Sequence, residues 1–478
     1  MSDTLSPPRF SLVDEPWLPV VHRDRGHVRV SLVEAFEQAD DILDLDSVLR
    51  VAEVQEVRMM AAIAADAMGP GVRDRLDVPQ IVAYLRERAE IFDLGGPAPF
   101  AQDHSIFRNP GYATALIKVF HSGAGKPSVF GRLQGHLVHE VPAAEVAEHL
   151  LAAIAFDGGG QTNAGPLKPD GGQERSAKAG PLANSIAHLP VGRSLAETIL
   201  MNLPSDGSPA WSKDPYGESF EMTGSNLAAR IVLSEDGQKV LEAGLGRATS
   251  LADGKAGNYI GGPAMPRDPA LAWTIPTKKG ESPRAVGPLP ALSGSESLRN
   301  RLHRLAAAEE PAVLSRAREV SAQNGWPSPR IRLYSSNGSG TTTPSMISVD
   351  EIPMLPKDLR RASSGAVIAA LDSAISKIGR KIEGSQRDDF PGGGSVARAS
   401  FDAAVSGSAR DLFHRALADP SMDAIPEDVA RVVRSAALAA VDTATSGMEP
   451  MDAALRVEAV RREVSEVLPA PPDESDTH

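Results

Sequence analysis

The chain has 478 residues, of which 42% are hydrophobic and 23% are charged, and its formal net charge is −13. Because cysteine is absent, disulfides and thiolate metal sites are excluded. The acidic balance argues against nucleic-acid binding over the whole surface but allows a local basic groove. No signal peptide is predicted, and no apolar run approaches the roughly 18 residues of a membrane-spanning helix. We therefore expect a cytoplasmic protein of two or three domains that contacts no membrane.

Strand and helix patterns follow one another over the first half of the chain. Residues 8–33 alternate as strands do, and Gly26 between two short apolar runs predicts a hairpin. Apolar residues at steps of three and four predict a helix over residues 48–68, which Gly69 ends. The same spacing predicts four further helices, at residues 79–92, 142–156, 192–203 and 298–322.

Glycine-rich and polar segments lie between these elements. Residues 94–136 and 157–181 are predicted to be rich in loops, and residues 204–300 to be irregular with a few short strands. Two strands, at residues 330–334 and 345–349, flank a polar stretch at 335–343. This arrangement predicts a hairpin with the polar stretch as its loop.

The chain changes character after residue 357. Four amphipathic helical patterns follow, separated by breaks that contain Pro or Gly, and this arrangement predicts an up-down four-helix bundle. The last ten residues are rich in Pro and acidic side chains, which favours disorder. The predicted fold class is therefore α+β, in three parts: a large mixed, loop-rich N-terminal domain at 1–357, the four-helix bundle at 358–468 and a disordered tail at 469–478.

No motif supports an enzyme. The Gly-Lys pair at 125–126 resembles a phosphate loop only superficially, because Phe120 stands where the first Gly is required and Pro127 follows the Lys. His136 and His139 lack the spacing of a zinc protease and have no evident third ligand. We therefore expect no catalysis, no metal and no cofactor.

Basic side chains stand in the glycine-rich loops. Arg132 belongs to the loop at 121–136, and Lys178 belongs to the loop at 157–181. Glycine lets a backbone approach a ligand that any Cβ would block, so such loops suit insertion into a DNA groove or an RNA turn. The alternative is a mobile surface loop without a ligand.

Four short segments stand in a characteristic order along the chain. They are Phe10-x-Leu-x-Asp-x-Pro-Trp-Leu-Pro-Val20, residues 92–102 with Pro-Phe-Ala-Gln at their end, the helical segment 194–204, and Pro209-Ala-Trp211. In this order, and followed by a helical bundle, they resemble the CasA-type large subunits of type I-E CRISPR Cascade complexes. The resemblance covers nearly the whole chain.

The resemblance implies a non-catalytic subunit of a CRISPR surveillance ribonucleoprotein. Such subunits contact the 5′ handle of the guide RNA, recognise the protospacer-adjacent motif in double-stranded DNA and help to open the duplex, while base pairing recognises the rest of the target. The implied partners are the guide RNA, the target duplex, the other Cascade subunits and a helicase-nuclease that docks on the subunit. The alternative is a scaffold subunit without direct DNA contacts.

The resemblance also implies which residues bind nucleic acid. Contact with the guide RNA is expected at Phe130 and, beside it, at Arg132. Contact with DNA is expected at Lys178, Ala179 and Gly180 of the glycine-rich loop, at Lys255, and at a hairpin wedge formed by Thr342 or Thr343, with Asn337 as the alternative. Close backbone approach and a Lys donor suit the minor groove, which offers little base information. Some members hold zinc through cysteines, which this chain lacks.

Overall fold

The fold is described from a computed structural model of the chain. The description covers residues 8–97, 99–103, 141–156, 160–161, 176–177, 180–182, 186–225, 227–247, 274–275, 284–285, 311–337, 346–354, 430–439, 451, 454, 457–458 and 461–462. The chain divides into two compact units, and the first comprises Met1–Thr274, Ser282–Ala285 and Glu310–Met354. In the second unit, residues 430–439 are helical. The four-helix bundle and the division after residue 357 remain predictions, because most of that region lies outside the described residues.

The N-terminal layer is a three-stranded antiparallel sheet with one short helix. Its elements are β1 (Leu18–His22), β2 (Gly26–Val30), α1 (Leu32–Glu37) and β3 (Ile42–Leu45), and the strand order is β2-β1-β3. The hairpin predicted around Gly26 is confirmed. The strand pattern predicted to reach residue 33 is wrong at its end, because Ser31 and Glu34 form a capping box that starts α1.

A long buried helix lies at the centre of the first unit. It is α2 (Ala52–Met68), and it is followed by α3 (Val78–Glu87) and a 3-10 turn at Ala89–Phe92. Residues 52–65 of α2 are all buried, including the charged residues among them. Gly69, at φ 88°, ends α2 as predicted. The helix predicted at 79–92 divides into α3 and the turn.

The middle of the first unit is more regular than predicted. Its elements are β4 (Val141–Pro142), α4 (Ala143–Phe156), β5 (Gly160–Gln161), β6 (Ser176–Ala177), β7 (Ile186–Val191), α5 (Leu195–Met201), α6 (Gly217–Thr223), β8 (Leu227–Leu233) and β9 (Lys239–Arg247). The helix predicted at 142–156 is confirmed as α4, whereas the one at 192–203 is shorter because Ser194 caps α5. A short strand was predicted within this irregular stretch at residues 230–233, and it is confirmed as part of β8, but residues 217–247 are more regular than predicted, because they also hold α6 and β9, which pairs antiparallel with β8.

The last elements of the first unit form a long hairpin and one helix. After the short strands β10 (Thr274–Ile275) and β11 (Arg284–Ala285) come α7 (Ala312–Asn324), β12 (Arg330–Asn337) and β13 (Met346–Pro353). The predicted hairpin is confirmed, but its strands are longer, so residues 335–337 belong to β12 rather than to the loop. β12 also pairs antiparallel with β7, which gives a sheet of order β13-β12-β7.

Three of the four segments that carry the family resemblance meet in one core. Leu12 N–H donates to the carbonyl of Phe92 at 2.9 Å, and the indole of Trp17 donates to the carbonyl of Leu12 at 2.9 Å. The ring of Trp211 packs edge-on against Phe92, with centroids 5.4 Å apart. The segments at 10–20, 92–102 and 209–211 are therefore a packing unit.

Candidate nucleic-acid interface

The C-terminal end of α4 anchors the glycine-rich segment. Gly180 is buried against it, and a Cβ at this position would lie 2.5 Å from the carbonyl oxygen of Ala155. Two residues later, Leu182 N–H donates to the same oxygen at 2.8 Å. Gly180 is thus a glycine because the chain passes in contact with a helix backbone, and its place in the site is to position its neighbours.

A short β-ladder precedes Gly180 in the chain. β6 pairs with β5 in the register Gly160↔Ala177 and Gln161↔Ser176, so the predicted loop at 157–181 contains a short ladder. Lys178 and Ala179, which lie outside the described residues, join this ladder directly to Gly180. Three Cα steps separate residue 177 from residue 180, a span of at most about 11 Å.

β7 begins near the described end of the β12–β13 hairpin. Ser335 of β12 is paired with Ile186, the first residue of β7, and Asn337 is paired with Met346 where the described hairpin ends. The strand that follows the glycine-rich segment along the chain therefore starts opposite a position two residues from Asn337.

The β8–β9 ladder is also tied to the end of α4. β9 ends at Arg247, which is paired with Leu227. Two residues before Leu227, the hydroxyl of Ser225 donates to the carbonyl of Ile154 in the last turn of α4 at 2.6 Å. The last described residue before the segment that contains Lys255 is therefore paired two positions from a residue that contacts α4.

The described residues thus include two of the predicted contact residues and the elements that flank the others. Asn337 is the last paired residue of β12, and Gly180 is buried. Seven predicted contacts lie outside the described residues and remain predictions: Phe130, Arg132, Lys178, Ala179, Lys255, Thr342 and Thr343. Leu182 N–H and the Ser225 hydroxyl donate to carbonyls in the last turn of α4. Without such donors, these carbonyls would present the negative end of the helix dipole to a phosphate.

A buried charged network joins β12 to the N-terminal layer, and we call Asp44, Glu53, Arg332 and Tyr334 the strand clamp. The guanidinium of Arg332 donates to both carboxylate oxygens of Asp44, at 3.0 and 2.6 Å, and to Glu53 at 3.0 Å. The hydroxyl of Tyr334 donates to the same Glu53 oxygen. Glu53 is 0% exposed and the Arg332 side chain is 5% exposed, so their contact is shielded from water, whereas the Asp44 side chain is 31% exposed.

Exposed charges surround the strand clamp. Arg50 lies 2.9 Å from the second oxygen of Glu53, and Glu351 of β13 pairs with Arg330 of β12 at 2.9 Å. Burial raises the pKa of Glu53 to about 7, while the Tyr334 hydrogen bond and the two arginines limit the rise. Sequence reasoning missed the strand clamp. The available signal was a charged residue and a tyrosine at alternate positions of an apolar strand, together with acidic residues inside an apolar helix.

A second buried carboxylate cluster ties α2 to α4. Glu148 lies 2.8 Å from Arg29 of β2 and accepts from Val48 N–H at 3.0 Å. Glu56 accepts from the hydroxyl of Ser47 at 2.6 Å. Burial raises the pKa of Glu148 to about 7, and burial together with the Glu148 charge raises the pKa of Glu56 well above its usual range.

We expect the free energy of unfolding to fall as pH rises from about 5 to about 8. The folded protein holds protons on Glu53 and Glu148 up to a pKa of about 7, whereas the unfolded chain releases them near 4.5. The stabilising contribution of each carboxyl is then fully present below pH 4.5 and is lost as pH rises through 7. The loss in the free energy of unfolding is up to about 3 kcal/mol for each group. Urea unfolding at a series of pH values measures the slope.

The variant Glu53→Gln/Glu148→Gln removes two of the titrating groups and should reduce that slope, while Glu56, whose pKa is also raised, retains part of it. Exposed Glu242→Gln, on β9, is the matched control and should keep the wild-type slope. A double variant with an unchanged slope would contradict the assignment of these two carboxyls.

Two absences hold for the described part of the chain. Within it, no group of three His, Cys, Asp or Glu side chains could hold a metal ion. Among the described helices, none is long and apolar enough to cross a membrane.

A family model for CRISPR-associated protein Cse1 matches residues 11–442. Because this match covers most of the chain, the chain belongs to the Cse1 family. The resemblance to CasA-type subunits that the four segments indicated is thereby confirmed.

Known proteins of the same kind are similar to this chain over different lengths. A CRISPR-associated protein CasA/Cse1 of Thermus thermophilus is 32% identical over 223 residues, which are 43% of each chain. The matched region therefore spans less than half of that relative.

Solved structures share the fold over nearly the full length. The crystal structure of Thermobifida fusca Cse1 gives a TM-score of 0.70 at 19% identity and covers 97% of this chain and 98% of its own. Thermus thermophilus CasA (Cse1) gives 0.67 at 19% identity, covering 96% and 99%. A chain of a CRISPR RNA-guided surveillance complex gives 0.66 at 20% identity, also covering 96% and 99%.

Proposed function

We propose that the chain is the non-catalytic large subunit of a type I-E CRISPR surveillance complex. In this role it recognises the protospacer-adjacent motif in double-stranded DNA, helps to start R-loop formation and docks the helicase-nuclease for antiviral defence. Its partners are the guide RNA, the other Cascade subunits, the target duplex and the helicase-nuclease. Membership of the Cse1 family and the fold shared with a chain of a surveillance complex support this role.

One observation favours direct DNA contact over a scaffold role alone. The anchors of two predicted DNA-contacting segments both contact the last turn of α4. These anchors are Gly180, which precedes Leu182, and Ser225, which precedes the β8–β9 ladder. A site that contacts adjacent base pairs of a duplex needs its contact residues within a few nucleotides of each other. Distant anchors would have favoured the scaffold.

We expect Lys178→Ala/Lys255→Ala to weaken binding of target DNA by the reconstituted complex. Each lysine that neutralises a phosphate contributes about −0.9 to the slope of log affinity against log salt, so losing both should reduce the slope by about 2. Lysines that contact base edges instead would lower affinity and change the preferred motif with a smaller change of slope. Filter binding of labelled duplex between low and moderate salt measures both quantities.

Lys213→Ala is the matched control, because Lys213 is an exposed lysine outside the segments predicted to contact DNA. It should leave affinity and slope unchanged. Wild-type affinity of the double variant at every salt concentration would support the scaffold alternative.

A further inference from the structure

We propose that the strand clamp of Asp44, Glu53, Arg332 and Tyr334 is a positioning device that holds the β12–β13 hairpin rigid while it parts the first base pair of the target. The inference rests on the proposed function, since it requires the hairpin to meet DNA. It adds residues that touch no nucleic acid and act through the hairpin.

The clamp side chains come from three elements and meet at one strand. Asp44 belongs to β3, Glu53 to α2, and Arg332 and Tyr334 to β12. Positions 332 and 334 lie on the same face of β12, because side chains alternate along a strand. Tyr334 is three residues from Asn337, so the clamp ends about 10 Å from the last described pair of the hairpin.

The chemistry of the clamp suits positioning better than apolar packing would. Ile331 and Leu333, on the other face of β12, are buried by contacts that have no preferred direction. Arg332 instead makes a two-pronged contact with Asp44 and a third contact with Glu53. Such charge-assisted bonds fix both distance and angle, and shielding from water makes them costly to break.

Both strands of the hairpin are tied to the clamp. Arg332 is paired in register with Glu351 of β13, and their side chains lie 3.4 Å apart. Arg330 holds the other oxygen of Glu351 at 2.9 Å. A push on the hairpin end is therefore transmitted through both strands to α2 and β3, which belong to the buried core.

The test uses the complete reconstituted complex with Tyr334→Phe and Arg332→Lys. Tyr334→Phe keeps the ring and removes one donor to Glu53, and Arg332→Lys keeps the charge but cannot make the two-pronged contact. Opening is followed with a fluorescent base analogue beside the motif, on an intact duplex and on a target already mismatched at the first base pairs. Arg23→Lys, in an exposed pair with Asp41 that does not involve the hairpin, is the matched control.

We expect each clamp variant to open the intact duplex about ten-fold more slowly, the effect of losing one buried charge-assisted hydrogen bond. The same variants should open the mismatched target at the wild-type rate and bind the motif with wild-type affinity. Wild-type opening of the intact duplex would overturn the proposal. Equal loss on both targets would also overturn it, because that pattern indicates general destabilisation.

Failure of the proposed function would give a different experimental result from failure of the clamp proposal. If the wild-type complex opens the intact duplex equally fast with and without this chain, the chain does not act on DNA, whatever the clamp variants do. The wild-type comparison therefore precedes the comparison of variants.

Discussion

Trp17→Ala is expected to lower the free energy of unfolding by about 3–5 kcal/mol, the usual cost of emptying a fully buried aromatic site. Trp17 has no exposed surface. Its indole N–H donates to the carbonyl of Leu12, and the N–H of Leu12 donates to the carbonyl of Phe92. The substitution removes the ring and one of the two donors to the Leu12 carbonyl, which also accepts from the Leu32 N–H at 3.0 Å. Urea unfolding of the purified chain, followed by circular dichroism, measures the change.

Two variants separate the contributions of the Trp17 ring. Trp17→Phe keeps most of the volume and loses only the hydrogen bond, so about 1–3 kcal/mol should be lost. Trp326→Ala, at a half-buried tryptophan, should cost less than Trp17→Ala. If Trp17→Ala unfolds within about 1 kcal/mol of the wild type, the segment at 10–20 is not the packing unit described.

Gly180→Val is expected to lower the affinity of the complete complex for target DNA at least about ten-fold, or 1.4 kcal/mol in binding free energy. A Cβ on Gly180 would lie 2.5 Å from the oxygen and 2.7 Å from the carbon of the Ala155 carbonyl. Backbone atoms cannot give way as a flexible side chain can, so the segment must move off α4 and carry Lys178 with it. Duplex binding by the reconstituted complex measures the loss.

Gly325→Asn is the matched glycine control. Gly325 ends α7 in the left-handed conformation, at φ 64° and ψ 24°, with open space where a Cβ would stand. Asparagine tolerates that conformation, so this variant should bind DNA as the wild type does. Wild-type DNA binding by a folded Gly180→Val chain would show that the contact with α4 does not position the DNA-binding loop. The unfolding midpoint of each variant, measured in parallel, shows whether it is folded.

Local sequence signals predicted the elements whose own residues decide their structure. The apolar spacing at 48–68 gives α2, and its end at Gly69 follows from a positive φ that glycine adopts freely. The polar stretch after residue 334 marked the hairpin, although β12 continues to Asn337. The capping box at Ser31 was also present in the sequence and would have predicted α1.

Elements that depend on distant partners were not predictable in the same way. β9 contains two glycines and no strict alternation, and it is a strand because β8 pairs with seven of its positions. β7 is likewise held by β12, across more than 130 residues of chain. Propensity carries little information about such pairings, since the pairing partner supplies the hydrogen bonds.

In the candidate site, too, one feature follows from local sequence and another depends on distant partners. Gly180 was selected from the sequence as a glycine near a ligand, and the structure gives the physical reason as its approach to α4. The strand clamp joins Glu53 to Arg332 and Tyr334 across about 280 positions, which no local pattern connects. Only the folded chain shows that these charges face one another.

The most direct test of the central claim is a selection from a library of target duplexes that differ only in the adjacent motif. The complex is assembled with guide RNA and the other subunits, with and without this chain, and the bound duplexes are sequenced. With the chain present, we expect a restricted set of motifs to be enriched and bound tightly. Without it, enrichment should disappear. The same motif distribution in both assemblies would contradict motif recognition by this chain.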